Sequence, residues 1–171
     1  MPVDNVNFTN LAKQTGILLT QRGLMLASAE SCTGGWLGQV VTTIPGSSMW
    51  YERGFITYSN SSKQEMLGVL HSTIEQFGAV SEQTAYEMAM GAVTNSHAQI
   101  GVSITGIAGP DGGTKIKPVG TVCFAWVMKE GLARRETQFL PGDRESIRHQ
   151  SVSIALQGVI NLLHNALPAM A

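Results

Sequence analysis

The sequence has few charged residues and no excess of either sign. Charged residues make up 13% of the 171 positions, about half the usual share, and 11 Lys and Arg stand against 12 Asp and Glu. A protein that holds a nucleic-acid backbone needs clustered positive charge, which this composition does not supply. We therefore expect no nucleic-acid partner.

Cysteine pairs and long apolar runs are also absent. Cys32 and Cys123 form no CxxC pair and no zinc-ligand spacing, so we expect neither a disulfide framework nor a metal site. Free thiols are typical of a reducing cytoplasm, and the first residues lack the pattern of a secretion signal. The longest apolar run, residues 122–128, is far below the ~20 residues of a membrane span. These features predict a cytoplasmic protein without a membrane partner.

What the sequence does contain is an alternation of helix-like and strand-like segments. Apolar spacing predicts helices over residues 5–22, 36–43, 63–67 and 144–163, with another that begins at residue 81, and strands over 24–29, 55–58, 101–105, 119–128 and 136–139. A short helix from Ser47 or Ser48 through Arg53 is also predicted. The length predicts one domain over residues 1–171. The order of segments predicts an α/β fold: a three-layer α/β/α sandwich around a mixed sheet that is parallel at its centre.

Polar residues stand at the ends of three predicted strands. Ser31, Tyr58 and Thr105 all lie at or near predicted carboxyl ends. Ligands of open α/β sheets bind beyond those ends, because the connecting loops form a crevice there. This coincidence predicts that the three residues border one site.

Residues 29–35 (AESCTGG) lead from a strand into a helix through a tight turn. The amides at a helix start attract negative charge, and Gly34 and Gly35 let a ligand approach the backbone closely. Two interpretations stay open. In the first, Ser31 is a nucleophile, and the amides of Thr33, Gly34 and Gly35 stabilise the oxyanion that forms on the attacked carbonyl group. In the second, Ser31 or Thr33 only caps the helix.

A nucleophilic serine needs a base, and lysine fits better than histidine here. None of the four histidines follows a predicted strand, which disfavours a Ser-His-Asp triad. Lys63 follows Tyr58 by five residues and lies near a predicted helix start. Burial and the helix start would both lower its pKa from ~10.4 toward the ~7–8 that a base needs. Tyr58 is a catalytic candidate as well, since its hydroxyl could position a proton or orient Lys63. The alternatives are a solvated surface lysine and, for Tyr58, an ordinary strand aromatic.

A long glycine-rich loop and an arginine pair complete the candidate site. The loop over residues 106–118 follows Thr105, and we expect substrate contacts from Thr105, Gly106 and Asp111, although Asp111 could merely form the turn. Arg144 and Arg148 lie four residues apart at a predicted helix start. Their mutual repulsion favours an anion such as a phosphate between them, or pairing with neighbouring acidic residues.

Several of these segments together resemble the CinA C-terminal domain family. The resemblance spans about residues 25–150, and its ordered motifs are residues 29–35, 45–63, 78–81, 105–113, 117–122 and 142–148. It implies an amidohydrolase that converts nicotinamide mononucleotide to nicotinic acid mononucleotide and ammonia in pyridine nucleotide recycling, without a cofactor. Longer relatives carry an N-terminal pyrophosphatase-like domain, for which we expect no room here.

The resemblance also implies roles for individual residues. It implies that Ser31 is the nucleophile and Lys63 its partner, that Tyr58 belongs to the site with Thr105, and that Arg144 contacts substrate. Two other functions stay open: a non-catalytic nucleotide-binding or competence-associated interaction module, and an amidase for another nucleotide or small amide. The low charge and a Trp-Tyr pair at residues 50–51, expected to be exposed, predict a homo-oligomer.

Overall fold

The computed structural model describes residues 5–166. Apolar positions at helical and strand spacing form eleven regular elements and one short 3₁₀ turn, Ser47–Met49. In chain order they are α1 Asn5–Arg22, β1 Leu26–Glu30, α2 Trp36–Thr42, β2 Tyr51–Ile56, α3 Asn60–Leu67, α4 His71–Phe77, α5 Glu82–Thr94, β3 Ile100–Gly106, β4 Thr121–Met128, β5 Ala133–Phe139 and α6 Arg144–Ala166.

The five strands form one mixed sheet in the order β2-β1-β3-β4-β5. β1 runs parallel to β2 and β3, while β4 and β5 add antiparallel pairs at one side. The parallel strands therefore end at the same edge, which is where the site is expected. The predicted α/β fold with a mixed, centrally parallel sheet is confirmed.

The central strands are buried on both faces because a helical layer covers each side of the sheet. Alternate residues of a strand point to opposite faces. Leu26 and Phe124 pack in the core formed with α1, α2 and α6. Ala27 and Ala125 pack on the other face, against α3 and α5. The three-layer arrangement follows from this alternation.

The segment before β2 differs from the prediction. The predicted short helix through Arg53 is wrong, because only Ser47–Met49 forms a helical turn and β2 already begins at Tyr51. Leu26 of β1 is paired with Tyr51, and after a register shift between Leu26 and Ala27 the pairing runs from Ala27 with Arg53 to Glu30 with Ile56. Pairing with a buried neighbouring strand thus overrides the local tendency toward helix. The helix α4 also has no counterpart in the prediction.

The expected exposure of residues 50 and 51 is wrong. The Trp50 side chain is only 3% exposed. It packs so closely against Gly16 of α1 that no side chain would fit at position 16. The Tyr51 side chain is half-buried, and its hydroxyl is 2.8 Å from Ser28 Oγ. The homo-oligomer stays a prediction, without this support.

Within residues 5–166, no helix combines the length and apolar character that a membrane crossing requires.

Candidate active site

Ser31 directly follows β1 and continues the strand face that is turned toward α3. Ala27 and Ala29 pack on that face, whereas Leu26 packs on the opposite one, so the alternation directs residue 31 toward α3. The Ser31 N–H donates to Ile104 O at 3.0 Å, which prolongs the pairing of β1 with β3 by one residue. The backbone of Ser31 is therefore held by the sheet while its side chain lies at the sheet edge.

A tight turn then reverses the chain into α2. The Gly34 N–H donates to Ser31 O at 3.1 Å. Gly34 and Gly35 have φ values of +59° and +99°, a region that disfavours side chains. A Cβ on Gly35 would also lie 2.9 Å from Ile56 Cδ1. Both glycines are thus required by the turn that presents Ser31.

Lys63 reaches the same point from α3. The Ser59 hydroxyl caps this helix by accepting the Ser62 N–H at 3.1 Å, which places Lys63 in the first turn and on the inner side. The Lys63 side chain is 1% exposed. Its Nζ lies 3.0 Å from Ser31 Oγ, 2.8 Å from Thr57 O and 3.3 Å from the next carbonyl oxygen, that of residue 58.

Burial determines the charge of this amine. It lowers the pKa of Lys63 from 10.5 to about 8, because the site excludes the water that stabilises an ammonium ion. No ion pair to a carboxylate compensates within the described part of the chain. At a pKa near 8, about one molecule in ten carries neutral Lys63 at pH 7. A lysine with an ordinary pKa would supply far fewer.

Nζ donates to three oxygen atoms, those of the Ser31 hydroxyl and of the carbonyls of residues 57 and 58. A neutral amine has two N–H donors and one lone pair. When Lys63 loses a proton, the two carbonyl oxygens can keep both remaining donors, which leaves the lone pair for the Ser31 O–H. This geometry suits removal of the hydroxyl proton as Ser31 attacks an electrophile.

The adjacent Cys32 is not a competing nucleophile. Its side chain is buried in the core formed with α1, α2 and α6. Burial raises the pKa of the Cys32 thiol to about 12, so the reactive thiolate is scarce near neutral pH.

Glu30 is a functional candidate that sequence reasoning missed. Its carboxylate is 2% exposed and faces α2. Oε2 accepts the Thr33 hydroxyl at 2.6 Å and the Gly35 and Leu37 amides at 3.1 Å each, and Oε1 accepts the Gly38 amide at 2.9 Å. An acidic residue between a buried strand and an uncapped glycine turn is the signal that could have indicated this role.

These bonds change which amides are available to an oxyanion. The Gly35 N–H is taken by Glu30, and the Gly34 N–H by Ser31 O. Among residues 5–166, the amides of Cys32 and Thr33 donate to no backbone carbonyl. The free donors next to Ser31 are therefore the first two amides of the turn rather than those of its glycines.

Arg144 and Arg148 reach the same edge from the start of α6 but have different partners. Arg148 Nε donates to Cys32 O at 3.0 Å and Nη2 to Thr33 O at 3.2 Å, and its guanidinium lies 5.2 Å from the Trp36 ring centre. Arg144 Nη1 donates to a loop carbonyl, Gly109 O, at 2.7 Å. The described chain has no ion pair between these arginines and the neighbouring acidic residues.

A cavity of about 560 Å³ opens beside the turn. This is the size range of small-ligand sites. Its walls come from Thr33, Gly34, Gly35, Trp36, Gln39, Arg144, Glu145 and Arg148. Ser31, which is 7% exposed, and Lys63 do not line it themselves. The cavity is thus a basic compartment next to the Ser31–Lys63 pair.

The remaining predicted site residues have different surroundings. The Tyr58 ring is 64% exposed, and its hydroxyl accepts Arg144 Nη2 at 3.4 Å. Thr105 is 1% exposed and its hydroxyl donates to Ala79 O at 2.8 Å, so it ties β3 to the segment before α5. Gly106 is half-buried, and Asp111 is exposed in the loop between β3 and β4.

Comparison with known proteins places this geometry in a family. The profile of the CinA C-terminal domain matches residues 8–163. The chain belongs to the CinA C-terminal domain family. Within it, the chain is 52% identical over 149 residues to nicotinamide-nucleotide amidohydrolase PncC of Escherichia coli K12, covering 86% of this chain and 89% of that protein.

Other members of the CinA family agree. The protein of the same name from Pseudomonas putida is 44% identical over 154 residues, with 90% of this chain and 96% of that protein covered. The crystal structure of competence/damage inducible protein CihA from Agrobacterium tumefaciens superposes with a TM-score of 0.89 at 43% identity, covering 91% of this chain and 95% of that one. The sequence similarity to the two amidohydrolases and the structural similarity to CihA each extend over nearly the whole domain.

Proposed function

We propose that this protein is a Ser–Lys amidohydrolase that converts nicotinamide mononucleotide to nicotinic acid mononucleotide and ammonia. The observation that carries the proposal is the 3.0 Å approach of the buried Lys63 Nζ to Ser31 Oγ. Relatives that match most of the chain bear the name nicotinamide-nucleotide amidohydrolase, which supports the substrate. A carboxamide C–N bond is the type of bond that a base-activated serine can cleave.

In the first half-reaction, Ser31 is acylated. Neutral Lys63 takes the hydroxyl proton as Oγ bonds to the carboxamide carbon, and the carbonyl oxygen becomes an oxyanion. In this scheme the amides of Cys32 and Thr33, which donate to no backbone carbonyl, donate to that oxyanion. The Lys63 ammonium then gives its proton to the departing nitrogen, the C–N bond breaks, and ammonia leaves an acyl ester on Ser31.

The second half-reaction restores the enzyme. Lys63, again neutral, takes a proton from water as the water oxygen bonds to the acyl carbon. The bond from that carbon to Ser31 Oγ breaks, and Oγ recovers the proton from Lys63. Nicotinic acid mononucleotide forms as the carboxylic acid and loses its proton to solvent, so it leaves as a carboxylate. Lys63 carries the protons that move between Ser31, water and the departing nitrogen, and its lowered pKa suits these transfers near neutral pH.

We place the 5′-phosphate of the substrate at Arg144, in the cavity beside the turn. Arg148 uses Nε and Nη2 on backbone carbonyls, whereas Arg144 contacts the Gly109 carbonyl and the Tyr58 hydroxyl, the latter at 3.4 Å. Guanidinium groups form strong charge-assisted hydrogen bonds to phosphate. The exposed Tyr58 ring, whose hydroxyl contacts Arg144, offers an aromatic surface to the pyridine or ribose.

The Arg144→Ala variant tests this placement. We expect KM for nicotinamide mononucleotide to rise on the order of 10- to 100-fold, since a hydrogen bond to a charged group contributes about 1.5–3 kcal/mol. With nicotinamide riboside, which has no phosphate, the change should stay within about threefold, because no such bond is lost. Steady-state ammonia release measures both. Arg134→Ala, in β5, is the control. Equal losses with both substrates would place the phosphate elsewhere.

Ammonia release from purified protein tests the function itself. Nicotinamide mononucleotide, nicotinamide riboside, nicotinamide and the dinucleotide are offered separately, and ammonia is assayed with the acid product. The proposal expects turnover with the mononucleotide above all others. Binding of the mononucleotide without ammonia would instead indicate a nucleotide-binding module, and faster turnover of another amide would indicate a different substrate.

A further inference from the structure

We propose that Glu30 is a positioning residue, whose carboxylate holds the turn after β1 so that Ser31 meets Lys63 and only the first two turn amides stay free. This inference rests on the proposed function. Glu30 itself touches neither Lys63 nor Ser31 through a recorded hydrogen bond of its side chain. Its influence is therefore exerted through the backbone of the turn.

The backbone of Glu30 is fixed before its side chain acts. It is paired with Ile56 of β2 on one side and with Ile104 of β3 on the other. The Glu30 carbonyl also accepts the Thr57 N–H at 2.8 Å. Alternation then sends the Glu30 side chain toward α2 and that of Ser31 toward α3. A rigid strand thus supports two neighbouring residues with opposite directions and different tasks.

The turn itself lacks an ordinary helix cap. Gly35 occupies the N-cap position of α2 in the left-handed region and has no side chain to accept amides. The amides of Gly35, Leu37 and Gly38 would otherwise be unsatisfied at the buried start of this helix. Glu30 accepts all three from the strand side. The hydrogen bonds and the helix dipole offset the cost of burying its charge.

A second charged group holds the same turn from the other side. Arg148 donates to Cys32 O and Thr33 O, whereas Glu30 accepts from the Thr33 hydroxyl and Gly35 N–H. The carbonyls of the turn are thus directed to a cation and its later amides to an anion. The amides of Cys32 and Thr33 are the groups that neither partner uses, and they adjoin the nucleophile.

The protein contains a second glutamate that caps the start of a helix, at a place outside the candidate site. Its replacement should affect stability but not catalysis, so it serves as a comparison for Glu30. Glu87 of α5 accepts Leu70 N–H at 2.8 Å and the Thr73 hydroxyl at 2.6 Å, so it satisfies the start of α4 as Glu30 does that of α2. Neither of its partners belongs to the candidate site. Glu87→Gln is therefore the matched control for Glu30→Gln.

The Glu30→Gln variant keeps the size of the side chain but turns an NH₂ group toward at least one N–H donor. We expect kcat for nicotinamide mononucleotide to fall on the order of 100-fold with KM changed less than about threefold, because small displacements of reacting groups act on the chemical step. The rate at which a fluorophosphonate labels Ser31 should fall in parallel. Glu87→Gln should lower the melting temperature but keep kcat and labelling within about twofold.

Several results would overturn the proposal. They are a kcat for Glu30→Gln within about threefold of the parent, a loss confined to KM, or equal losses in the Glu87 variant. If Glu30→Gln does not fold, Thr33→Val removes one bond to Oε2 with little change of shape, and its kcat and labelling should still fall several-fold, about 3- to 10-fold. Unchanged labelling there would also refute it. Parent protein that labels at Ser31 but releases no ammonia refutes the proposed function, and the labelling comparison then still tests the role of Glu30.

Discussion

Replacement of Ser31 by alanine is expected to lower kcat for nicotinamide mononucleotide by on the order of 10⁴-fold or more, because a Ser–Lys pair without its nucleophile has no covalent catalysis. The fold should survive, since the one hydrogen bond recorded for Ser31 Oγ is the contact with Lys63. Substrate binding should also survive, because the basic cavity is built by other residues. Ammonia release, calorimetric titration with the nucleotide and the melting temperature measure the three effects.

Cys32→Ala is the matched control for this variant. It alters the neighbouring side chain, whose burial raises the pKa of its thiol to about 12, and should keep kcat within about tenfold of the parent. Mass spectrometry of protein quenched during turnover should find the acyl group on the peptide that contains Ser31, and on Ser31 itself. Near-normal activity of Ser31→Ala together with an inactive Cys32→Ala would transfer the nucleophilic role to the thiol.

Replacement of Lys63 by methionine is the second large effect. We expect kcat to fall on the order of 10³- to 10⁴-fold, since general-base assistance contributes about 10²–10⁴ and the leaving nitrogen loses its acid as well. Methionine occupies a similar volume in the buried site, so the loss is chemical rather than a collapse of the fold. Single-turnover ammonia release measures it, and Lys129→Met, at an exposed hairpin position, is the control.

The same variant has a characteristic effect on stability. The pKa of Lys63 is about 8 in the folded protein and near 10.5 when unfolded. Between these values the unfolded chain binds more protons than the folded one, so the free energy of unfolding of the parent rises with pH in that window, by roughly 3 kcal/mol in all. Lys63→Met lacks this gain.

Denaturant unfolding at pH 7.5 and at pH 10.5 checks the stability effect as a difference between the two proteins. Other titrating groups are common to both and cancel in that difference. The parent should gain on the variant as pH rises, and Lys129→Met should behave like the parent. A difference that is independent of pH would mean that Lys63 is as easily protonated in the folded protein as in the unfolded chain.

Local rules predict that Ser31 and Lys63 lie at the same edge of the sheet. A short β1, a turn with two glycines and a capped helix start place both residues beyond the carboxyl ends of parallel strands. The open question in the sequence is whether Lys63 faces solvent or the sheet. A residue in the first turn of a helix can take either direction, and only the packing of α3 against the sheet decides it.

Other parts of the site depend on long-range contacts that no local pattern specifies. Arg148 fits a phosphate ligand by its spacing from Arg144, yet the position of α6 over the turn gives it backbone carbonyls instead. In the sequence, Glu30 is an ordinary acidic residue at the end of a strand. Only the packing of α2 over it brings the amides that donate to its carboxylate. Trp50 belongs to a polar, turn-like segment, but the missing side chain of Gly16 makes the space that buries it.

The most direct test of the central claim, that an uncharged Lys63 activates Ser31, is the pH dependence of kcat/KM. It is measured from about pH 6.5 upward, where the substrate phosphate has largely lost its second proton. Since burial lowers the pKa of Lys63 to about 8, kcat/KM should rise about tenfold per pH unit below that value and level off above it. A profile that is flat through this range, or that falls as pH rises from about 7 to 9, would contradict a lysine base.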